Sequence, residues 1–168
     1  MSPPDGQQPH WTCTLTRRVH AQHATVFNLL AEVELWPALF PHIRSARVVR
    51  RDRRRRLIVV RAAWRRLPLG YTAVLTVDRE RGDVTIRHLS RLTHGSVAVW
   101  SVRSDQEQAE SADVVDVSVR QHVVVPIRFV GGLLARGFVG GRVARDLGQA
   151  MLERLAEVAE GGSLADRR

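Results

Sequence analysis

The chain ends in one long helical pattern, and most of the segments before it have the pattern of β-strands. Between residues 139 and 158 apolar residues recur at the spacing of an amphipathic helix, and Gly161-Gly162 ends the pattern. The predicted apolar face consists of Val139, Val143, Leu147, Ala150, Met151, Leu155 and Val158. One helix that must bury this face after many strands favours an α+β fold, in which a curved sheet wraps around the helix.

Alternation of apolar and polar residues predicts seven strands and two short helices before that helix. The strands are expected over residues 11–19, 45–50, 57–66, 71–79, 84–90, 96–103 and 112–125. The first short helix is expected over 25–32, and a second short helix or a turn over 38–42. Trp36-Pro37 separates the two helices, because proline disfavours a helical residue before it. A turn is expected at 67–70, and Pro126 ends the last strand. Consecutive strands joined by short turns predict an antiparallel meander.

Length and cysteine content predict a single intracellular domain. The 168 residues suffice for one core, which we expect over residues 11–161, with flexible tails at 1–10 and 162–168. Cys13 is the only cysteine, which fits a reducing compartment. The N-terminal residues lack the basic and apolar regions of a signal peptide, and no apolar run reaches about 18 residues. We therefore expect a cytoplasmic protein.

The charge of the chain comes from arginine alone. The net charge is +9, and all 26 basic residues are arginine, as a GC-rich genome would favour. The absence of lysine excludes Schiff-base chemistry through a lysine amine. Nucleic acid is not the expected partner, because the basic run 50–56 lacks interleaved aromatic residues and no reading motif is visible. The scattered histidines and the absence of a phosphate-binding loop predict neither a metal nor a cofactor.

Residues 26–41 carry a resemblance to a known superfamily. A strand is followed by His20-Ala21 and Thr25-Val26-Phe27, then by Trp36-Pro37 and Phe40-Pro41 before the second strand. With Trp100 and the C-terminal helix, this pattern resembles the START-related superfamily (helix-grip, Bet v 1-like), and within it the polyketide cyclase/dehydrase and aromatase group. The resemblance covers about residues 11–160 and implies a helix-grip fold, with a hydrophobic ligand held in a cavity between the sheet and the C-terminal helix.

The resemblance leaves two functions open. The first is a cyclase or aromatase that folds and dehydrates a polyketide intermediate; the second is a non-catalytic carrier or sequestering protein for a quinone, lipid or antibiotic, including self-resistance. Aromatase/cyclases of this group usually have an arginine and a hydroxyl residue inside the pocket on a middle strand. The inward set of strand four, Tyr71, Ala73, Leu75 and Val77, contains no arginine, so the sequence does not decide whether the protein is an enzyme.

Strand alternation selects the candidate site residues. His88 and Tyr71 are the catalytic candidates, because histidine can move protons near neutral pH and a phenol can donate to a carbonyl oxygen. The candidate ligand-binding residues are Trp36, Phe40, Trp64, Trp100, Gln121, Phe138 and Arg142. For each of them the structural alternative is open: a hydrogen-bonded histidine, an aromatic residue of the core, or a solvated arginine.

Two surface segments are candidates for partner contacts. The arginine run at a predicted hairpin tip can be a solvated tip, or it can dock an acidic acyl carrier protein and its phosphate. It comprises Arg50, Arg51, Arg53, Arg54, Arg55 and Arg56. The glycine-rich segment 129–141 is expected where the cavity opens, and its apolar residues Phe129, Leu133, Leu134 and Phe138 could contact a membrane peripherally.

Overall fold

The computed structural model describes residues 11–64, 67–90, 93–104, 113–124 and 140–161. These ranges contain seven strands, two short α-helices separated from each other by a 3-10 turn, and one long helix. In chain order the elements are β1 (Trp11–Val19), α1 (His23–Ala31), the 3-10 turn (Val33–Leu35), α2 (Trp36–Leu39), β2 (Ile43–Arg51), β3 (Arg55–Trp64), β4 (Leu67–Asp78), β5 (Asp83–His88), β6 (Val97–Ser104), β7 (Val115–Val123) and α3 (Gly140–Ala159).

The strands form one antiparallel sheet in the order β1-β7-β6-β5-β4-β3-β2. From β2 to β7 each strand pairs with the next in sequence, as short connections favour, and β1 joins the far edge by pairing with β7 along its whole length. Helix α3 lies against β1 and β7, and α1 and α2 contact the same side of the sheet. The prediction of an α+β fold with a curved sheet and a long C-terminal helix is confirmed.

The hydrophobic core lies between the helices and the face of the sheet that they cover, here called the inner face. Every second residue of the central strands points into it, as strand geometry requires. Its strand members include Ile58, Val60, Ala73, Leu75, Val84, Ile86, Trp100, Val117 and Val119, and the helices contribute Val26, Leu30, Leu39, Leu152 and Leu155. The inward set predicted for strand four agrees with this burial, because Ala73 and Leu75 lie in the core and Tyr71 and Val77 pack against it.

The start of β4 differs from the prediction. A turn was expected at residues 67–70, but these residues belong to the strand, and Leu67 pairs with Trp64. Pro68 is tolerated there because β5 pairs with β4 only as far as Ala73, so no neighbouring strand needs the missing N–H on that side.

The second short helix also differs from the prediction. Helix α2 begins at Trp36, not at residue 38, and Pro37 lies in its first turn. The first turn of a helix tolerates proline because its N–H groups have no partner within the helix. Trp36-Pro37 therefore starts a helix instead of separating two.

The buried face of α3 is rotated from the predicted one. Leu152, Leu155, Ala156 and Val158 are buried, and Gly148 is buried with them, whereas Leu147 and Met151 are only half-buried. The closest contact between α3 and the sheet explains the rotation. A Cβ atom on Gly148 would lie 3.0 Å from Leu15 Cδ1 and 3.2 Å from Gln121 Nε2. The absent side chain thus brings this turn of α3 close to β1 and β7, which spacing of apolar residues alone did not indicate.

Candidate functional site

Tyr71 and His88 lie together on the inner face. Tyr71 is opposite Val60 in the β3–β4 ladder, and His88 is opposite Ala73 in the β4–β5 ladder, so both side chains emerge among apolar neighbours. Their ring centroids are 4.4 Å apart, with an angle of 31° between the ring planes. The two catalytic candidates, 17 residues apart in the chain, thus form one contacting pair, here called the Tyr71–His88 pair.

Burial sets the protonation of both rings. Desolvation lowers the pKa of His88 from 6.5 to about 4, so the imidazole is neutral near pH 7. Desolvation raises the pKa of Tyr71, so its phenol stays protonated through the neutral range. Neither the Tyr71 hydroxyl nor Nε2 of His88 has a hydrogen-bond partner among the described residues. The pair therefore contains an uncharged donor and an uncharged imidazole nitrogen without a partner among the described residues.

The connection between β5 and β6 holds His88 in place. Nδ1 of His88 lies 3.1 Å from Oγ1 of Thr93, and its backbone N–H donates to Ser96 O at 2.9 Å. The buried Ser96 hydroxyl accepts from Val124 N at 3.0 Å and lies 3.3 Å from Val124 O. This connection is thereby fixed to the end of β7 and cannot shift without breaking buried hydrogen bonds.

Trp36, Phe40 and Trp100 form a second group on the inner face, here called the aromatic cluster. Phe40 stacks on Trp100 with ring centroids 6.4 Å apart, and Trp36 meets the edge of Phe40 at the same distance. All three are at most 3% exposed. The indole N–H of Trp36 donates to Leu30 O at 3.1 Å. The cluster fills the core, and a ligand-contact role for its members remains a prediction.

The other predicted ligand-binding residues are dispersed. The amide of Gln121 lies beside α3 at Gly148, on the inner face. Arg142 is exposed in the first turns of α3. Trp64 ends β3, and its side chain lies outside the described part of the structure, as does the whole of Phe138. Their contacts with a ligand stay predictions.

His42 is a titratable residue near the core that sequence reasoning missed. Its ring stacks on Phe40, with centroids 6.1 Å apart, and burial lowers its pKa to about 4. Its backbone carbonyl accepts from Ala63 N at 2.7 Å. The available signal was its place directly after Phe40-Pro41, at the start of β2. A neutral imidazole thus lies beside the aromatic cluster.

The arginine run divides into two groups. Arg56 turns toward the helices and donates to Ala31 O at 2.8 Å, at the end of α1, and lies 3.7 Å from Glu32. Arg51 lies 4.0 Å from Glu34. In contrast, the exposed side chains of Arg50, Arg53, Arg54 and Arg55 form no hydrogen bond or ion pair with described residues. The hairpin therefore carries four exposed arginine side chains without a partner among the described residues.

The opposite, outer face of the sheet carries a polar groove of about 860 Å³. Its lining includes Arg87, Arg103 and Arg120. Arg103 is held by Asp83 at 2.7 Å, and Asp83 also accepts from Ser101 at 2.8 Å. This groove lies on the other side of the sheet from the Tyr71–His88 pair. The acid–base candidates and the arginine-lined groove are therefore separate features.

The fold and the inner-face site define a helix-grip α+β protein with an apolar interior that contains a few uncharged polar groups. Residues 19–152 match the family of polyketide cyclase/dehydrase and lipid transport proteins, and the chain belongs to this family. The predicted resemblance is confirmed. Among curated proteins, no relative is found by sequence.

Solved structures show the same fold. The Zhui aromatase/cyclase from Streptomyces sp. R1128 is 17% identical over 91% of this chain and 99% of its own, with a TM-score of 0.73. A START superfamily protein from Mycobacterium smegmatis is 15% identical over 89% and 94%, with a TM-score of 0.66. The di-domain ARO/CYC BexL from the BE-7585A biosynthetic pathway is 15% identical over 91% and 51%, with a TM-score of 0.71. These identities establish the shared fold alone. Among the helices in the described ranges, none has the length and apolar character needed to cross a bilayer.

Proposed function

We propose that the protein binds an aromatic polyketide or a similar hydrophobic intermediate between the inner face and α3, and assists its cyclisation and dehydration. The observation that carries the proposal is the Tyr71–His88 pair: two contacting rings, 4.4 Å apart, on an otherwise apolar face. Membership of the polyketide cyclase/dehydrase family and the likeness to aromatase/cyclases in fold support it. The expected cavity remains part of the proposal, because residues 125–139 lie outside the described ranges.

The larger part of the rate effect would come from holding a flexible chain in a reactive conformation. Proximity and orientation contribute about 7 to 11 kcal/mol in well-ordered intramolecular reactions. The apolar side chains around the pair, such as Val60, Ala73 and Ile86, would exclude water and favour a compact fold of the ligand. Cyclisation then requires little more than one proton acceptor and one hydrogen-bond donor.

The pair can supply both groups. Nε2 of His88 removes a proton from a carbon between two ketones, while the Tyr71 hydroxyl donates a hydrogen bond to the oxygen that becomes negative. The enolate carbon attacks a second carbonyl of the same chain and forms the ring bond, and the resulting alkoxide recovers the proton from the imidazolium. Dehydration repeats the proton removal; the C–O bond breaks, and the departing hydroxide takes that proton as water.

The first prediction tests this chemistry. His88→Ala should lower the yield of the protein-directed cyclised product about 100-fold, the lower range for a lost acid–base group, and Tyr71→Phe should lower it less. The measurement is the product distribution, by liquid chromatography and mass spectrometry, from a minimal polyketide synthase that supplies a poly-β-ketone chain. His122→Ala, on the outer face, is the matched control.

The outcomes separate enzyme from carrier. Unchanged product distributions with both variants would refute the acid–base roles. If the wild-type protein also returns the hydrophobic molecule chemically unchanged, as judged by native mass spectrometry of protein from its own host, the non-catalytic carrier function replaces the proposal.

The hairpin tip is the proposed contact for an acyl carrier protein. Because arginine matches phosphate and carboxylate geometry, the four exposed arginines would contact an acidic surface. The double substitution Arg53→Glu with Arg54→Glu should weaken binding of a phosphopantetheinylated carrier protein about tenfold, with a steep dependence on salt. Arg61→Glu, which changes an exposed arginine on β3, should leave this binding unaltered. Titration calorimetry measures both. Equal affinities of all three proteins would remove the hairpin tip as the docking surface. The proposed peripheral membrane contact involves residues outside the described ranges.

A further inference from the structure

One hydrogen bond distinguishes the two nitrogens of His88. We propose that Thr93 is a positioning residue that holds His88 in the tautomer protonated on Nδ1, so that the Nε2 lone pair is available to accept a proton. Nδ1 and the Thr93 hydroxyl oxygen are 3.1 Å apart, and Nε2 has no partner among the described residues. The contact between Thr93 and Nδ1 is present without any substrate, whereas the choice of this tautomer and its catalytic meaning rest on the proposed function.

The backbone around Thr93 fixes the hydroxyl in this position. Thr93 N donates to Ser90 O at 2.9 Å, and Ser96 N donates to Thr93 O at 3.0 Å, which closes a tight turn. Gly95, with φ of +86°, adopts a backbone conformation that favours glycine. The Ser90 hydroxyl in turn accepts from Thr72 N at 2.6 Å, next to Tyr71. The Thr93 hydroxyl therefore lies on a hydrogen-bonded turn. This turn is bonded to β4 through Ser90 and to the end of β7 through Ser96.

The neighbouring phenol decides which tautomer is useful. The Tyr71 hydroxyl stays protonated and supplies a donor, whereas enolisation releases a proton that needs an acceptor. If His88 were protonated on Nε2, the pair would present two donors and no acceptor. The threonine hydroxyl can either donate or accept a hydrogen bond. In the proposed tautomer its oxygen accepts the bond from Nδ1–H. Thr93 thus completes a division of roles, in which Tyr71 donates and His88 accepts.

The chain contains a matched control for this contact. On the outer face, Nδ1 of His122 lies 3.2 Å from Oγ1 of Thr12, in an exposed setting. His122 therefore has the same kind of partner as His88, without the apolar surroundings or the adjacent tyrosine ring. Thr12→Val removes that partner in the same way that Thr93→Val removes the one at His88.

The experiment is nitrogen NMR of the histidine side chains in the full-length protein at neutral pH, without any ligand. In the wild type the His88 signals should show Nδ1 protonated and Nε2 bare. Thr93→Val should lower the ratio of this tautomer to the other about fivefold, the effect of losing one hydrogen bond, and Thr93→Ser should restore it. Thr12→Val should change the His122 signals and leave those of His88 unaltered.

Activity gives a second readout. Thr93→Val should lower kcat for the cyclised product with little change in KM, and Thr93→Ser should recover kcat, whereas a purely structural role would change stability in both variants. A wild-type His88 protonated on Nε2, or a tautomer ratio unaffected by Thr93→Val, overturns the inference. A confirmed tautomer shift without any cyclisation by the wild type would instead leave the positioning role intact and refute the proposed function.

Discussion

The aromatic cluster and the Tyr71–His88 pair share the inner face but differ in the chemistry of their polar atoms. In the cluster, the indole N–H of Trp36 is bound to Leu30 O, and the rings of Phe40 and Trp100 stack on each other. In the pair, one hydroxyl and one imidazole nitrogen have no partner among the described residues. The indole N–H groups of the cluster can only donate a hydrogen bond, whereas the imidazole nitrogen of the pair can accept a proton. The presence of aromatic residues does not by itself distinguish a cluster of the core from a candidate functional site.

The largest expected loss of stability comes from a substitution in the aromatic cluster. Phe40→Ala should lower the free energy of unfolding by about 3 to 5 kcal/mol, because it leaves a cavity beside Trp100 and Trp36. Tyr71→Phe, which keeps the ring of the pair, should change it by less than about 1 kcal/mol. Urea unfolding followed by circular dichroism measures both. Similar losses in the two variants would mean that the groups do not differ in their contribution to stability.

A backbone change in the turn between β4 and β5 should have the next largest effect. Gly82 has a φ of +63°, and a Cβ atom there would lie 2.5 Å from Val102 O and 2.9 Å from His23 Nε2. Gly82→Ala should destabilise the fold by about 2 to 3 kcal/mol. Gly161→Ala is the control, since a Cβ atom there meets nothing within 4 Å, although its φ of +114° is also positive. Equal thermal stability of the two variants would show that backbone strain alone, not the contact with Val102, sets the cost.

The smallest expected effect is on the pH dependence of stability, and it comes from His88 of the Tyr71–His88 pair. In the unfolded chain His88 takes up a proton near its ordinary pKa of 6.5, whereas in the fold it does so only near about 4. The unfolded state therefore binds more protons between these values, so stability is complete above about pH 6.5 and falls as the pH drops toward 4.

His88→Gln should remove part of this loss, on the order of 1 to 2 kcal/mol across the same interval. The free energy of unfolding, measured at about pH 7.5 and about pH 4.5 for wild type and variant, provides the test. His42 keeps its own contribution, because its pKa is also lowered to about 4. Identical acid sensitivity of the two proteins would mean that His88 is more hydrated than the structure indicates.

Much of the fold was predictable from local patterns. Alternation identified inner residues of the strands, such as Ala73 and Leu75 in β4, because a strand with one buried face must alternate. The contact of Tyr71 with His88 was only partly predictable: both were assigned inward, but their adjacency depends on the register of β4 against β5. Arg56 was grouped with the hairpin arginines, although it binds the end of α1, because its partner lies 25 residues away in sequence.

The sequence by itself determined the class of fold, the family and the periodic faces of the strands, since these depend on interactions between residues close in the chain or on a recurring pattern. Only the tertiary structure decided which turn of α3 meets the sheet. The lack of a side chain at Gly148 allows this turn to approach Leu15 and Gln121 closely. It also decided the environment of each histidine. His88 and His122 each have a threonine hydroxyl at Nδ1, yet one faces the core and the other faces the outer groove, because long-range packing, not residue type, sets burial.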